Sequence, residues 1–190
     1  RIQLLEQIGL GRATVRSSGF IENFEKGNTL EDAVKYAVST CEAKAESLMK
    51  HYDTEHRRRI IIAADTVIFF KNQILGKPKT REDAELTLRS ISGHEHVVTT
   101  GVCIVLISEG NIRKVSFSEK TIVKMSELTE EVIKAYVDSG EPMNKAGSYA
   151  IQGLGATLIE NIYGDYFNVV GLPLNSLCKH LIELVCIQDR

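Results

Sequence analysis

The chain predicts one α/β domain in which helices flank an extended, mixed and partly antiparallel β-sheet. Three observations carry this. Residues 60–70 (IIIAADTVIFF) and 96–107 (HVVTTGVCIVLI) are near-continuous apolar runs of strand length. Around them lie segments whose apolar residues recur at helical spacing, opened by threonine and closed by glycine. Finally, no Pro/Ser-rich linker, internal repeat or low-complexity stretch divides the 190 residues, a length that suits one large domain or two closely packed lobes. A second lobe would be drawn from residues 76–140.

The elements follow in order. Residues 2–8 read as a helix stopped by Gly9, and 14–21 as an extended segment. Thr29 with Asp32 forms an N-cap pattern for a long helix reaching about His51, with Leu30, Ala33, Val34, Ala37, Val38 and Cys41 on one face. Residues 60–70 form the first apolar strand, and Asn72-Gln73 marks a hairpin-like turn before Ile74 and Leu75. Thr80 caps the next helix, which ends at Ser92-Gly93. Residues 96–107 form a strand, bent at Gly101, and 112–125 another. Thr129 opens a helix running to Gly140, and 141–156 is rich in Gly, Pro and polar residues. Short strands are expected at 157–163 and 166–170, then an amphipathic helix over 174–187.

With 43% hydrophobic and 25% charged residues, the composition is that of a globular protein with a real core. The formal net charge of −2 argues against a nucleic-acid binder, and Arg57-Arg58-Arg59 reads as a solvated loop. No apolar run approaches the ~20 residues that span a bilayer. Cysteines 41, 103, 178 and 186 are scattered without a CxxC pair, as in reduced, buried thiols of a cytoplasmic protein. No signal peptide is recognisable. The chain opens on Arg1 inside a helical pattern, so an upstream piece is to be expected.

Four charged residues stand in apolar or glycine-rich surroundings: Lys44 in CEAKAE, Asp65 in IIIAADTVIFF, Lys77 in ILGKP and Lys145 in NKAG. Asp65 is the most informative, because an isolated buried carboxylate costs many kcal/mol unless cations or donors meet it. Backbone amides at a strand end would satisfy it as well as a ligand site would. Glu22 follows a strand-like segment; brought beside Asp65, the two carboxylates could hold Mg²⁺. Lys77 precedes the rigid Pro78, and Lys145 has small neighbours that let a phosphate approach the backbone. Each lysine alone also reads as an exposed residue. Together they suit a metal-bound polyphosphate.

Other chemistries find no support. There is no Walker A loop, no dinucleotide-binding GxGxxG after a strand and no GxSxG elbow. His94 and His96 lack a third ligand nearby and read as structural.

In order, RxxLL, SGFIE, CEAKA, AADT, LGKP, SGHEH, TTGV, SGEPMNKAGSYAIQG and NVVGLP closely resemble the Maf, or septum formation inhibitor, family. Its members are nucleoside triphosphate pyrophosphatases related in fold to the inosine triphosphate pyrophosphatases, and the resemblance runs from Arg1 to about Leu184. It implies two lobes around a central cleft and hydrolysis between the α and β phosphates, giving a nucleoside monophosphate and pyrophosphate. It also implies a divalent cation, Mg²⁺ or Mn²⁺, a cytoplasmic setting and neither a nucleic-acid nor a membrane partner; homodimerisation stays open.

By the same resemblance, Asp65 matches the catalytic aspartate and a metal ligand, and Glu22 a second metal ligand. Lys44, Lys77 and Lys145 match phosphate-binding lysines, the first two with catalytic roles. Arg1 matches the second arginine of an SxSPRR loop, whose SxSP part and preceding strand are absent from residues 1–190. Thr66 and Gln152 match base-selecting positions, and Gln152 within AIQG resembles the branch acting on dTTP and UTP. An amide can meet both the carbonyl and the imide N–H of a pyrimidine. Asn144 stands where many members have Asp. The alternatives are a nucleotide-binding regulatory or division-linked protein without turnover, and a pyrophosphatase preferring methylated guanine nucleotides.

Overall fold

The computed structural model describes residues 1–21, 24–52, 58–108 and 110–186. Five strands, β1 (Arg59–Phe70), β2 (Gln73–Leu75), β3 (Glu95–Ser108), β4 (Asn111–Met125) and β5 (Ile159–Tyr163), form one sheet in the order β2-β1-β3-β4-β5. All four pairings are antiparallel, so the described sheet is more uniform than the mixed one expected. Short connections explain two of the four: β1 turns into β2 through Lys71 and Asn72, both at positive φ, and β3 turns into β4 at Gly110, the kind of tight return only antiparallel neighbours permit.

Both faces of the central strands are covered, which is why β1 and β3 read as continuous apolar runs. On one face Ile61, Ala63, Cys103, Val105 and Ile107 meet Cys41 and Ala45 of α2 (Leu30–Met49). On the other, Ala64, Val102, Ile104 and Leu106 meet Leu4 of α1 (Ile2–Gln7) and Leu174, Leu177 and Leu184 of α6 (Leu174–Cys186). The period of two along each strand assigns alternate residues to alternate layers. Toward one end of the sheet, α3 (Arg81–Ile91) and α4 (Glu130–Asp138) bury Ala84, Leu88, Ile91, Ile133 and Val137 against Ile68, Phe70, Val98 and Met125.

Helix α2 positions the site. Its start is a full capping box, with Thr29 and Asp32 each accepting from the other's backbone. Its inward side carries the small residues Ala33, Ala37, Cys41 and Ala45, all fully buried. Facing them on β3, Gly101 lacks a side chain where a Cβ would sit 2.5 Å from the carbonyl carbon of Ala37. The expected bend at Gly101 is therefore absent: the register with β1 and β4 runs unbroken through it, and the glycine serves a close helix–strand approach.

Two further expectations are corrected. Residues 14–21 form no strand. Residues 166–170, expected as a strand from YFNVV, form a short helix α5 (Tyr166–Val170). Asp165 caps it by accepting from the Phe167 N–H, and Gly171 closes it at φ 114°. Cap chemistry at both ends outweighed the β-branched and aromatic composition.

Candidate functional site

Asp65 lies on the α2-facing side of β1, directly across from Gly101. Because Gly101 lets Ala37 touch the sheet, residue 44, two turns further along α2, is brought over Asp65. Lys44 Nζ donates to Asp65 Oδ1 at 2.8 Å. Asp65 is only 8% exposed. Among the described residues no backbone amide shares in satisfying it, so an ammonium ion, not a strand end, holds this carboxylate.

Thr66 points to the opposite layer, into a line of hydroxyl groups. Its Oγ1 lies 2.9 Å from Thr100 Oγ1, its direct cross-strand neighbour, and Thr100 Oγ1 donates to the Asn168 carbonyl at 3.0 Å. The fully buried Asn168 amide then donates to the Val98 carbonyl and to Thr121 Oγ1. Arg1 closes the line from the other end: Nη2 donates to Thr66 Oγ1 at 3.3 Å and Nε to the Gly171 carbonyl at 2.8 Å. Thr66, Arg1, α5 and the middle of the sheet thus form one hydrogen-bonded unit.

Two hollows open beside these links. The smaller, about 190 Å³, is walled by Asp65, Thr66, Val67, Tyr36, Lys26, Lys77 and Ala146. The larger, about 460 Å³, follows the edge of β1 along residues 59–64 and includes Arg1, Arg12, Arg16, Lys44 and Arg59. That edge is open because β2 pairs only with Ile68–Phe70. Basic residues line both hollows, and Asp65 is the one acid among their described lining residues.

Lys77 follows β2 and lines the smaller hollow. Its turn is tied to the Lys145 turn by the Gly147 N–H donating to the Gly76 carbonyl at 3.0 Å. Asn144 has φ 67°, Gly147 φ 67° and Ser148 φ 62°, so residues 144–148 are tightly wound. Asn144 suits the left-handed conformation better than most residues. Gly147 is obligatory as well, since a Cβ would overlap Ile68 Cδ1. The structure brings the backbones of Lys77 and Lys145 together, but the wall residue from this turn is Ala146, and Lys145 is exposed beside it.

Gln152 is exposed at the start of a 3-10 turn, Gly153–Leu158, and lines neither hollow. Its loop is nonetheless rigidly held. The Glu141 carboxylate accepts from the Leu154 N–H at 3.0 Å and the Gly155 N–H at 2.8 Å, and Tyr136 Oη donates to it at 3.0 Å. Tyr136 Oη in turn accepts from the Ala150 N–H. Burial pushes the Glu141 carboxyl upward, but these donors and the nearby Lys145 charge outweigh it and leave its pKa below the usual range. Gly153 and Gly155 are required here, since a side chain on either would run into Glu141 or Tyr136.

Glu22 lies outside the described residues. Among those described, no group of three His, Cys, Asp or Glu could enclose a metal ion. His94 and His96 are structural, as expected: His94 Nδ1 contacts the Ser92 carbonyl, and His96 Nε2 lies 2.7 Å from Tyr149 Oη. Asp65 Oδ1 is engaged by Lys44, and its other oxygen has no partner among the described residues. One such carboxylate fits a cation held largely by substrate oxygens and water, as Mg²⁺ commonly is.

Sequence reasoning missed Lys26, Tyr36, Thr100, Glu141 and Asn168. Thr100, Glu141 and Asn168 lie inside the quoted motifs TTGV, GEPMNKAG and NVVGLP, so a signal existed. Lys26 and Tyr36 had none.

The chain is similar to known proteins along nearly its whole length. An Agathobacter rectalis protein named dTTP/UTP pyrophosphatase is 42% identical over 194 residues, covering 97% of this chain and 92% of the relative. An Acetivibrio thermocellus protein of the same name is 45% identical over 179 residues, covering 93% and 86%. A human protein named "Probable bifunctional dTTP/UTP pyrophosphatase/methyltransferase protein" is 43% identical over 190 residues, and the chain spans 30% of its length. The family described as Maf-like protein matches residues 1–184, and the chain belongs to the Maf family.

Proposed function

We propose that this protein hydrolyses nucleoside triphosphates, dTTP and UTP foremost, to the monophosphate and pyrophosphate. One observation carries the reading: a nearly buried carboxylate, Asp65, is held by Lys44 in the wall of a hollow whose other described charged residues, Lys26 and Lys77, are cations. At about 190 Å³ this hollow is smaller than the roughly 300–1,000 Å³ that encloses a whole small-molecule ligand. It suits part of a nucleotide, the phosphate tail.

The chemistry then follows from placement. Lys44 engages Asp65 Oδ1, which aims the second carboxylate oxygen at a water molecule and leaves it free to take that water's proton. The water oxygen attacks the α-phosphorus, the bond from that phosphorus to the bridging oxygen breaks, and pyrophosphate departs with the electron pair. Lys77 and Lys145, from two turns joined through Gly76 and Gly147, meet the charge that builds on the leaving group. Phosphoryl transfer requires little beyond such positioning and charge stabilisation. A divalent cation, Mg²⁺ or Mn²⁺, would be held by Asp65 and Glu22 and would neutralise phosphate charge.

Base selection falls to Thr66 and Gln152. Thr66 is fixed by Thr100 and Arg1, and Gln152 rides on the loop held by Glu141. The names of the relatives favour pyrimidines, as does the amide of Gln152. Four unpaired thiols suit a reducing cytoplasm, and among the described residues no helix is long and apolar enough to cross a membrane.

Purified protein supplied with Mg²⁺ and dTTP or UTP should release one pyrophosphate per monophosphate. Asp65→Asn should slow this by about 10²- to 10⁴-fold without unfolding the protein. Nucleotide binding without turnover, unaltered by Asp65→Asn, would identify a regulatory protein instead.

A further inference from the structure

We propose that Lys26 is an additional phosphate-binding residue, an ammonium group that meets the pyrophosphate portion of the substrate beside the turn that carries Lys77. The inference deepens the functional reading above and rests on it for the identity of the anion. Lys26 lines the smaller hollow together with Asp65, Thr66 and Lys77. Asp65 is already paired with Lys44, so Lys26 and Lys77 contribute two positive charges to a small space with no further acid among its described wall residues. Two cations in one hollow repel each other, and an anion between them relieves that repulsion.

The placement of Lys26 is built into the fold. On one side of it, the Phe24 ring packs edge-on against Tyr36 of α2 with centroids 6.5 Å apart, and Tyr36 is itself a wall residue. On the other side, Gly27 has φ 48° and presses onto the Asp32 side chain, leaving no room for a Cβ. That side chain also accepts from the N–H groups of Asn28 and Thr29 and from Thr29 Oγ1. Residue 26 is therefore held between an aromatic contact and the cap of a 20-residue helix. Gly76 makes the space for its head group: a Cβ on Gly76 would lie 3.1 Å from Lys26 Nζ. The absent side chain at 76 thus leaves room for the Lys26 ammonium next to the Lys77 turn.

The test measures binding of inorganic pyrophosphate in the presence of Mg²⁺ by calorimetry, alongside dTTP turnover. A charge-assisted contact predicts that Lys26→Ala weakens pyrophosphate binding by about 10- to 100-fold. Lys26→Arg should retain most of the affinity. Gly76→Ala, which keeps every charge but crowds Nζ, should weaken binding several-fold. The exposed Lys179 on α6 serves as a charge control, and Lys179→Ala should change affinity less than twofold. In turnover, Lys26→Ala should raise KM for dTTP more than it lowers kcat. Pyrophosphate affinity within twofold of the parent in Lys26→Ala overturns the proposal, as does a parent protein that binds no pyrophosphate. Should the parent bind pyrophosphate through Lys26 yet hydrolyse no nucleotide, the functional reading fails and this assignment stands. Should turnover proceed with pyrophosphate affinity and KM indifferent to residue 26, the assignment fails and the function stands.

Discussion

A carboxylate between two apolar runs is a local contradiction, and Asp65 resolves it with a single ion pair. Nothing else among the described residues satisfies its oxygens, so the pair with Lys44 is what holds the carboxylate in place. Removing Lys44 leaves a nearly buried charge without its cation. For a well-buried pair this costs about 3–5 kcal/mol. Partial exposure of the Lys44 side chain (21%) lowers the expectation for Lys44→Ala to about 1–3 kcal/mol, read as a shift in urea midpoint, with pyrophosphate release down at least ~10²-fold. The same residue-scale contradiction made Asp65 legible in the sequence, since charge inside an apolar run stands out. Lys26 was illegible for the opposite reason: in NFEKGN it looks like any solvated lysine, and only the fold shows the hollow it faces.

At the scale of elements, the caps and periods could be read directly. The Thr29/Asp32 and Thr80/Asp83 boxes fix where α2 and α3 begin, and the alternate layering of β1 and β3 follows from their apolar runs. Gly101 and α5 escaped, because a close approach and a doubly capped helical turn depend on partners distant in sequence. The loop carrying Gln152 shows how much such partners matter. Glu141 accepts two backbone N–H groups and a phenol from three different positions, which no spacing rule reveals. Glu141→Ala strips those donors of their acceptor; the exposed Leu154 N–H can turn to water, while the Gly155 N–H and the phenol are part-buried, and a fully buried unsatisfied donor costs about 1–3 kcal/mol. We expect chemical denaturation to show a loss of about 1–2 kcal/mol. The KM for dTTP should rise as the loop loosens, while Glu141→Gln, which keeps one acceptor oxygen, should lie between the two.

Across the whole molecule, one buried histidine ties the sheet to the segment of the site lysine Lys145. His96, 2% exposed on β3, meets the buried Tyr149, three residues before Gln152. Burial lowers its pKa from 6.5 to about 4, so it stays neutral and its Nε2 can accept a hydrogen bond from the Tyr149 phenol. The unfolded chain binds this proton near pH 6.5 and the folded chain only near pH 4, so acidification through that window favours unfolding. At ~1.4 kcal/mol per pKa unit, the loss attributable to His96 approaches about 3 kcal/mol by pH 4. Urea denaturation of the parent and His96→Asn at pH 7 and pH 4.5 should show a markedly smaller pH dependence in the variant. At this scale the α/β class and the run of motifs were legible from the sequence. The polar line through Thr66, Thr100, Asn168 and Thr121 was not, because it joins three strands and α5, which only the fold brings together.

The central claim is that Asp65 directs water to the α-phosphorus of a nucleoside triphosphate, and isotope placement tests it most directly. With dTTP hydrolysed in ¹⁸O-labelled water, the label should appear in the α-phosphate of dTMP and be absent from pyrophosphate, with Asp65→Asn nearly inactive. Label in pyrophosphate or in orthophosphate, or an Asp65→Asn variant as fast as the parent, would contradict it.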